Sequence, residues 1–285
     1  KLSDTDQLAW GLGTFASRGL AVGGSAVYQG VRRAREKILT LAAHLLEASA
    51  DDLEYVGGRF GVRGTDQGIT IQELATAAFA AHSYPEDMEP SLDAEATYDP
   101  VNFNFPPGTH LCAVEVDTET GQVSMRKYAC CDDIGNIINP LIVAGQVHGG
   151  LVQGIAQALW EEAVHDDSGT LVSGSFTDYL LPTAADTISF DIDHTTSPSL
   201  TNTLGTKGVG EAGTIASTPA VVNAVVDAVR HLGIDDITMP CTPERVWRAI
   251  QGVAGGGATE GAAMPHFDAS TGMDGAVDRT TGGAQ

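Results

Sequence analysis

The chain has 285 residues, with 37 acidic against 15 lysine and arginine side chains and a net charge of −22. That charge repels a phosphate backbone and excludes a nucleic-acid partner. A composition that is 42% hydrophobic can bury a sizeable core, and without a run of about 18 apolar residues no membrane span is expected.

Lysine occurs only at positions 1, 37, 127 and 207. An acidic, lysine-poor surface suits work in high salt, where self-repulsion is screened, so a halophilic source is expected. The first six residues lack the apolar core of a signal peptide. Cys112, Cys130, Cys131 and Cys241 show neither a CxxC pair nor an iron–sulfur spacing, so reduced structural thiols and a cytoplasmic location are expected. The eight histidines show no HExxH or paired zinc spacing.

In chain order, Ala16-Ser17-Arg18 comes first. It joins a hydroxyl, backbone N–H groups and a guanidinium, a set suited to a pyrophosphate; an ordinary turn before a helix is the competing reading. Residues 24–48 form an amphipathic helix, with Val27, Val31, Ala34, Ile38, Leu41 and Leu45 on the apolar stripe. A hairpin is expected over 53–62 around Gly57-Gly58. A second helix covers 71–81, opened by a capping box of Thr70 and Glu73.

Residues 95–123 read as strand-like, with Asp117–Gly121 turning between strands at 111–116 and 123–129. Asn139-Pro140 starts a third helix reaching about 162. Gln146, Gly150 and Gln153 share one of its faces, at i, i+4 and i+7, and two amides with a glycine between them admit a flat polar ligand. The alternative is glycine-mediated helix packing beside solvated glutamines. Val147, Leu151 and Ala158 point to the core, and His148 is structural. Asp166–Gly169 is a turn, 171–196 is extended and broken by Pro182, and Phe176 and Tyr179 are packing or channel wall rather than catalytic. The paired acids Asp51-Asp52, Asp132-Asp133, Asp166-Asp167 and Asp235-Asp236 read as solvated turn residues.

The segment Lys207-Gly208-Val209-Gly210-Glu211-Ala212-Gly213 places one carboxylate among glycines, with a lysine before it. Glycine lets the backbone approach a ligand closely, and exposed N–H groups can receive an anion. Thr218-Pro219 reads as the N-cap and first residue of a helix over 219–232. Glu211 is therefore a candidate general base in a loop that leads into a helix; a tight turn with a solvated acid is the bland alternative. A last helix is expected over 243–251. Residues 252–285, rich in Gly, Ala, Thr and Asp, have too few apolar groups to offset ordering entropy and read as a disordered tail.

Four ordered segments carry a resemblance. They are GLGTFASR at 11–18, DIGNIINP at 133–140 running into GQVHGGLVQG at 145–154, KGVGEAG at 207–213, and PERVWRAI at 243–250. The set resembles the molybdenum hydroxylase (xanthine oxidase) family, over roughly residues 1–250. It is most similar to the C-terminal part of the molybdopterin-binding large subunit in the carbon monoxide dehydrogenase-like branch. The resemblance implies an α+β fold for 1–251, as the C-terminal half of the molybdopterin-binding domains, incomplete at its N-terminus.

It further implies a molybdenum–molybdopterin cytosine dinucleotide cofactor. Ala16, Ser17 and Arg18 would hold its phosphate or nucleotide end, and Gln146, Gly150, Gln153, Lys207, Gly208, Val209 and Gly210 would line it. Glu211 would be the base that activates a molybdenum-bound hydroxyl. The substrate would be carbon monoxide, an aldehyde or an N-heterocycle, with electrons passed to an iron–sulfur small subunit and an FAD-binding medium subunit. Family large subunits also carry a glycine-rich loop and, in carbon monoxide oxidisers, a copper-binding cysteine loop nearer the N-terminus; neither pattern occurs here. The N-terminal part of a large subunit is therefore an expected partner, without which activity is not expected. A non-catalytic assembly module and an inactive truncated product are the alternatives.

The charge generates a first prediction. Molar potassium chloride shortens the Debye length to ~3 Å and quenches repulsion among surface acids. The melting temperature should rise between low and molar salt; a flat or falling trend in a thermal scan would contradict the expectation.

Overall fold

The computed structural model describes residues 4–6, 11, 13–80 and 82–254. Two hydrophobic cores organise them. The first lies between helix α1 (Ser25–Leu45), helix α2 (Ile71–Ala80) and a three-stranded antiparallel sheet of β1 (Leu53–Val56), β2 (Arg59–Val62) and β3 (Gly68–Thr70). Leu41, Ala42, Leu53, Phe60, Leu74 and Ala78 are its buried centre. Gly57 and Gly58, at φ 58° and 84°, make the tight turn between β1 and β2. Two consecutive positive φ values match the twist of a two-residue hairpin, which glycine adopts without steric cost. The Glu73 carboxylate accepts from the Thr70 N–H at 2.8 Å while the Thr70 hydroxyl accepts from the Glu73 N–H at 3.2 Å. This is the reciprocal cap expected for α2.

The apolar stripe of α1 is covered only in its second half. Leu41 is buried, but Val27 and Val31 are 68% and 61% exposed. Its opening, a π-helical turn over Leu20–Gly24, lies instead beside Leu204, whose Cδ1 would stand 3.0 Å from a Cβ on Gly24.

The second core is built on β4 (Gly108–Val116), β5 (Val123–Asp133) and β6 (Asp191–Thr195). β4 and β5 pair antiparallel, and β6 joins β5 in parallel. Helix α3 (Pro140–Leu159) buries Val143, Val147, Gly150, Leu151, Gly154, Ile155 and Ala158, one continuous helical stripe. Its N-cap Asn139 accepts from the N–H groups of Leu141 and Ile142, with Pro140 at the first position, as expected from the sequence. Most of the extended stretches at 95–107 and 171–190 pair with no strand, and α3 ends at Leu159, three residues before the expected stop.

Helix α4 corrects one expectation. It runs Ala212–Arg230 with Pro219 inside it, seven residues ahead of the expected Thr218-Pro219 start. The Thr218 hydroxyl instead donates to the Gly154 carbonyl of α3 at 3.1 Å. The carbonyl that Pro219 leaves without an N–H belongs to Ile215, which is 68% exposed, so water can satisfy it. By length and composition α4 is apolar enough to cross a membrane. In the fold its Val221, Val225 and Val229 are fully buried in the second core.

The α3–α4 crossing is held by glycine. A Cβ on Gly213 would lie 2.7 Å from the Val147 carbonyl and 2.9 Å from the Leu151 N, and one on Gly150 would lie 3.1 Å from Gly213 Cα. Gly150 is thus a packing residue against α4 and not part of an open ligand face, the alternative that its spacing left open. Helix α5 (Pro243–Ala254) extends three residues past the expected boundary of the tail; the rest of the tail, from 255, lies outside the described residues.

All four cysteines are free thiols. Burial pushes those of Cys112, Cys130 and Cys241 up to about 11, so they are protonated near neutrality. Asp132 and Asp133 are buried, 2% and 7% exposed, not solvated as expected. Asp133 Oδ1 accepts from the N–H groups of Gly135 and Ser197, each at 3.0 Å, and Oδ2 pairs with Lys207 Nζ at 2.9 Å. One carboxylate therefore joins the end of β5, the segment after β6 and the start of the Glu211 loop.

Two expectations follow from this packing. Gly213→Ala gains about 1 kcal/mol in helix propensity but forces two backbones apart, an overpacking cost of ~1–3 kcal/mol. A lower urea midpoint is expected, and a higher one would contradict the close crossing. Second, the backbone N–H of Ser197 and the Lys207 ammonium hold the Asp133 carboxyl well below the ordinary carboxylate range. Its stabilisation is complete above the ordinary range and is lost as pH falls below it through the depressed folded value. Asp133→Asn should melt lower at pH 7 and show a shallower loss of melting temperature below about pH 4; parallel pH profiles would dismiss this role.

Candidate active site

Ser17 and Glu211 are 194 residues apart and meet directly. The Ser17 hydroxyl donates to Glu211 Oε2 at 2.8 Å and accepts from the Glu211 backbone N–H at 3.0 Å. Glu211 is the N-cap residue of α4 and makes no side-chain cap of its own. Ser17 supplies the capping oxygen from a distant segment. An unsatisfied N–H at the helix start is thereby paired, and the carboxylate is turned by the same hydroxyl.

That geometry depends on unusual backbone on both sides. Ala16 and Ser17 lie in the left-handed region at φ 50° and 53°, a conformation that costs non-glycine residues of order 1–3 kcal/mol and clusters at functional sites. Opposite them, a Cβ on Gly208 would fall 2.5 Å from Ser17 Cβ and 2.8 Å from its carbonyl oxygen. Only glycine permits this approach. A Cβ on Gly210 would stand 3.3 Å from Ser17 Oγ and 3.5 Å from Gln146 Nε2, so Gln146 also reaches the loop. Gln153 is exposed two turns further along α3, about 10 Å away at 1.5 Å per residue. Of the two glutamines, Gln146 is the one beside Glu211.

Lys207, expected among the cofactor contacts, has its ammonium committed to Asp133. Its backbone N–H also donates to the Ile134 carbonyl at 2.9 Å. It anchors the loop instead of reaching into the site. Val209 is half-buried against the second core, which fixes the loop from below; Gly208 is buried against Ser17, and Gly210 is exposed.

Arg18 stacks its guanidinium 4.9 Å from the Phe15 ring centroid, and no carboxylate pairs with it among the described residues. It lines a cavity of about 270 Å³ together with Ala16, Asn102, Phe103, Asn104 and Asn202. Asn104 Oδ1 accepts from the Gly208 N–H at 3.0 Å, which leaves its two amide N–H bonds for other acceptors. An unpaired guanidinium, amide donors and an exposed aromatic ring, next to a loop with little side chain, fit the anionic and nucleotide portions of a large cofactor. Sequence reasoning treated 95–123 as strand-like and missed the asparagines. The alternation Asn102-Phe103-Asn104-Phe105 beside two prolines was the available signal, since amides and aromatics on an irregular segment favour recognition over core packing.

Residues 1–188 match the family described as molybdopterin cofactor-binding domain. The chain is 40% identical over 249 residues to the carbon monoxide dehydrogenase large chain of Hydrogenophaga pseudoflava, covering 87% of this chain and 31% of that protein. It is 38% identical to the nicotine 6-hydroxylase large subunit of Paenarthrobacter nicotinovorans, over 86% and 30% of the two chains. It also resembles the solved structure of reconstituted CO dehydrogenase from Oligotropha carboxidovorans, with a TM-score of 0.80 and 38% identity over 88% of this chain and 31% of that one. The chain thus spans about a third of the length of the curated relatives it matches. With residues 1–188 matching that family and an α+β fold, the chain belongs to the molybdopterin cofactor-binding domain family and is similar to the carbon monoxide dehydrogenase large chain.

Proposed function

We propose that this chain supplies the base and part of the cofactor cradle of a molybdenum-dependent hydroxylase, with Glu211 as the base. The hydrogen bond from Ser17 to Glu211 carries the reading. It occupies Oε2 and leaves Oε1 to accept a proton, at the end of a loop whose exposed Gly210 puts no side chain beside it. Ser17 holds the carboxylate in one rotamer, so that the base is positioned before substrate arrives. Gln146 offers an amide donor and acceptor beside it. Arg18, Asn102, Asn104 and the backbone of Ala16 and Ser17 hold the phosphate and nucleotide end of the cofactor, the cytosine dinucleotide form in this reading. When bound, molybdenum with its pterin supplies the two-electron redox chemistry.

The substrate is a small molecule with an electron-poor carbon. Relatives carry names that refer to carbon monoxide and to nicotine, and aldehydes and N-heterocycles remain in the same chemical class. The partners of this reading are the rest of a large subunit, an iron–sulfur subunit and an FAD subunit. Val27, Phe103, Phe105, Leu141 and Phe176, which are 64–83% exposed, support burial against further protein.

The test uses the assembled complex. Glu211→Gln keeps the size and the Ser17 hydrogen bond but removes the basic carboxylate. Turnover should fall by ~10²-fold or more, as for loss of a positioned base, with molybdenum and pterin content unchanged. Near-normal turnover would remove Glu211 from the chemistry. A wild-type complex that holds molybdenum but turns over none of the substrate classes would favour an assembly role.

A further inference from the structure

We propose that the sheet of the second core carries a transition-metal site of the zinc class, formed by His110 on β4, Cys130 and Asp132 on β5, and His194 on β6. It is separate from the Glu211 loop and does not rest on the molybdenum reading.

The strand register places the four on one face of the sheet, with His194 outside the tight group that the other three form. His110 is the cross-strand partner of Cys130, and Asp132 that of His194. Directly opposed residues share a face of the sheet, and Cys130 and Asp132 share one by the two-residue period of β5. The ligating atoms of His110, Cys130 and Asp132 lie within 4.8 Å of one another. His110 Nε2 stands 3.2 Å from Asp132 Oδ1, and these side chains are 1% and 3% exposed. Zinc bonds of 2.0–2.3 Å in a tetrahedron place ligand atoms ~3.2–3.8 Å apart, so closing His110, Cys130 and Asp132 on an ion requires movement of about 1 Å, and His194 completes the set by a larger turn of its side chain.

Two further observations point to an occupant. Among the described residues three buried side-chain polar atoms lack a hydrogen-bond partner, and two of them are Asp132 Oδ2 and His194 Nδ1. A buried carboxylate oxygen and a buried imidazole nitrogen, both orphaned on adjacent strands, are costly unless something binds them. Moreover, the other His110 nitrogen, Nδ1, is 2.8 Å from the Tyr128 hydroxyl. With Nε2 on a metal, Nδ1 carries the proton and donates it to Tyr128, the outer contact that orients ligating histidines. Imidazole, thiolate and carboxylate donors together suit zinc rather than calcium or magnesium, which take oxygen. Binding converts the Cys130 thiol to thiolate, and the released proton passes to solvent. The neighbouring Asp133 anchors Lys207, so the metal would brace the sheet end from which the Glu211 loop starts.

The experiment uses the full chain, expressed in zinc-supplemented medium and dialysed against a chelator. Metals are counted element by element, and cobalt(II) replaces zinc as a spectroscopic probe. Close to one zinc per chain is expected, with cobalt showing thiolate charge-transfer and tetrahedral absorption. Cys130→Ser should lose the charge-transfer band and at least ~10-fold in retained zinc, as should His110→Gln. Cys131→Ser, whose side chain lies on the opposite sheet face, should retain both. Circular dichroism checks that each variant is folded; if Cys130→Ser does not fold, the cobalt spectrum of the wild-type chain still decides. Zinc below a tenth of an equivalent in the wild-type chain, a cobalt spectrum without thiolate character, or equal retention in the folded Cys130→Ser variant would each overturn the proposal.

Discussion

The close crossing of α3 and α4 is the constraint on which the site depends. Gly213 abuts the backbone of Val147 and Leu151, and Gly150 abuts Gly213. Without side chains between them, the two helices approach backbone to backbone. The N-terminus of α4 is thereby fixed relative to α3, and so Glu211 is fixed relative to Gln146. Helical glycine is unfavourable by about 1 kcal/mol relative to alanine, and the buried valines and isoleucine around the crossing offset that cost through apolar burial. The same pattern that weakens each helix in isolation positions the acid in the fold.

A second tie holds the loop from its other end. Asp133 gathers Lys207, Ser197 and Gly135. The loop between Lys207 and Glu211 is thus anchored at one end by a mostly buried ion pair and at the other by a helix start. Such a loop has little freedom, so the Glu211 carboxylate at its end is held in one place. Breaking one partner of that pair leaves the other buried without compensation.

Ser17 closes the arrangement. It occupies a left-handed conformation, fills the space that Gly208 leaves, and caps α4 while gripping the Glu211 carboxylate. Three roles converge on one hydroxymethyl group. Strain in the backbone at 16–17 is stabilised by contacts from a segment nearly 200 residues distant, a pattern found where geometry serves a site rather than stability.

Much of the local structure was legible in the sequence. The Gly57-Gly58 hairpin, the Thr70–Glu73 cap and the Asn139-Pro140 start each depend on residues within a few positions of one another, so short-range chemistry determined them. Ordered motifs likewise pointed to the family, and isolation among glycines made Glu211 a candidate. What only the tertiary structure decided was long-range. Helix α4 starts at Ala212, where Ser17 accepts from the Glu211 N–H, whereas the Thr218 hydroxyl bonds to α3. Asp132 and Asp133 read as solvated turn acids, yet their partners lie on β4 and in the loop at 207. Gly150 could have faced a ligand or a helix, and Gly213 settles which. In each case the deciding partner is distant in sequence and adjacent in space, so local propensity could not weigh it.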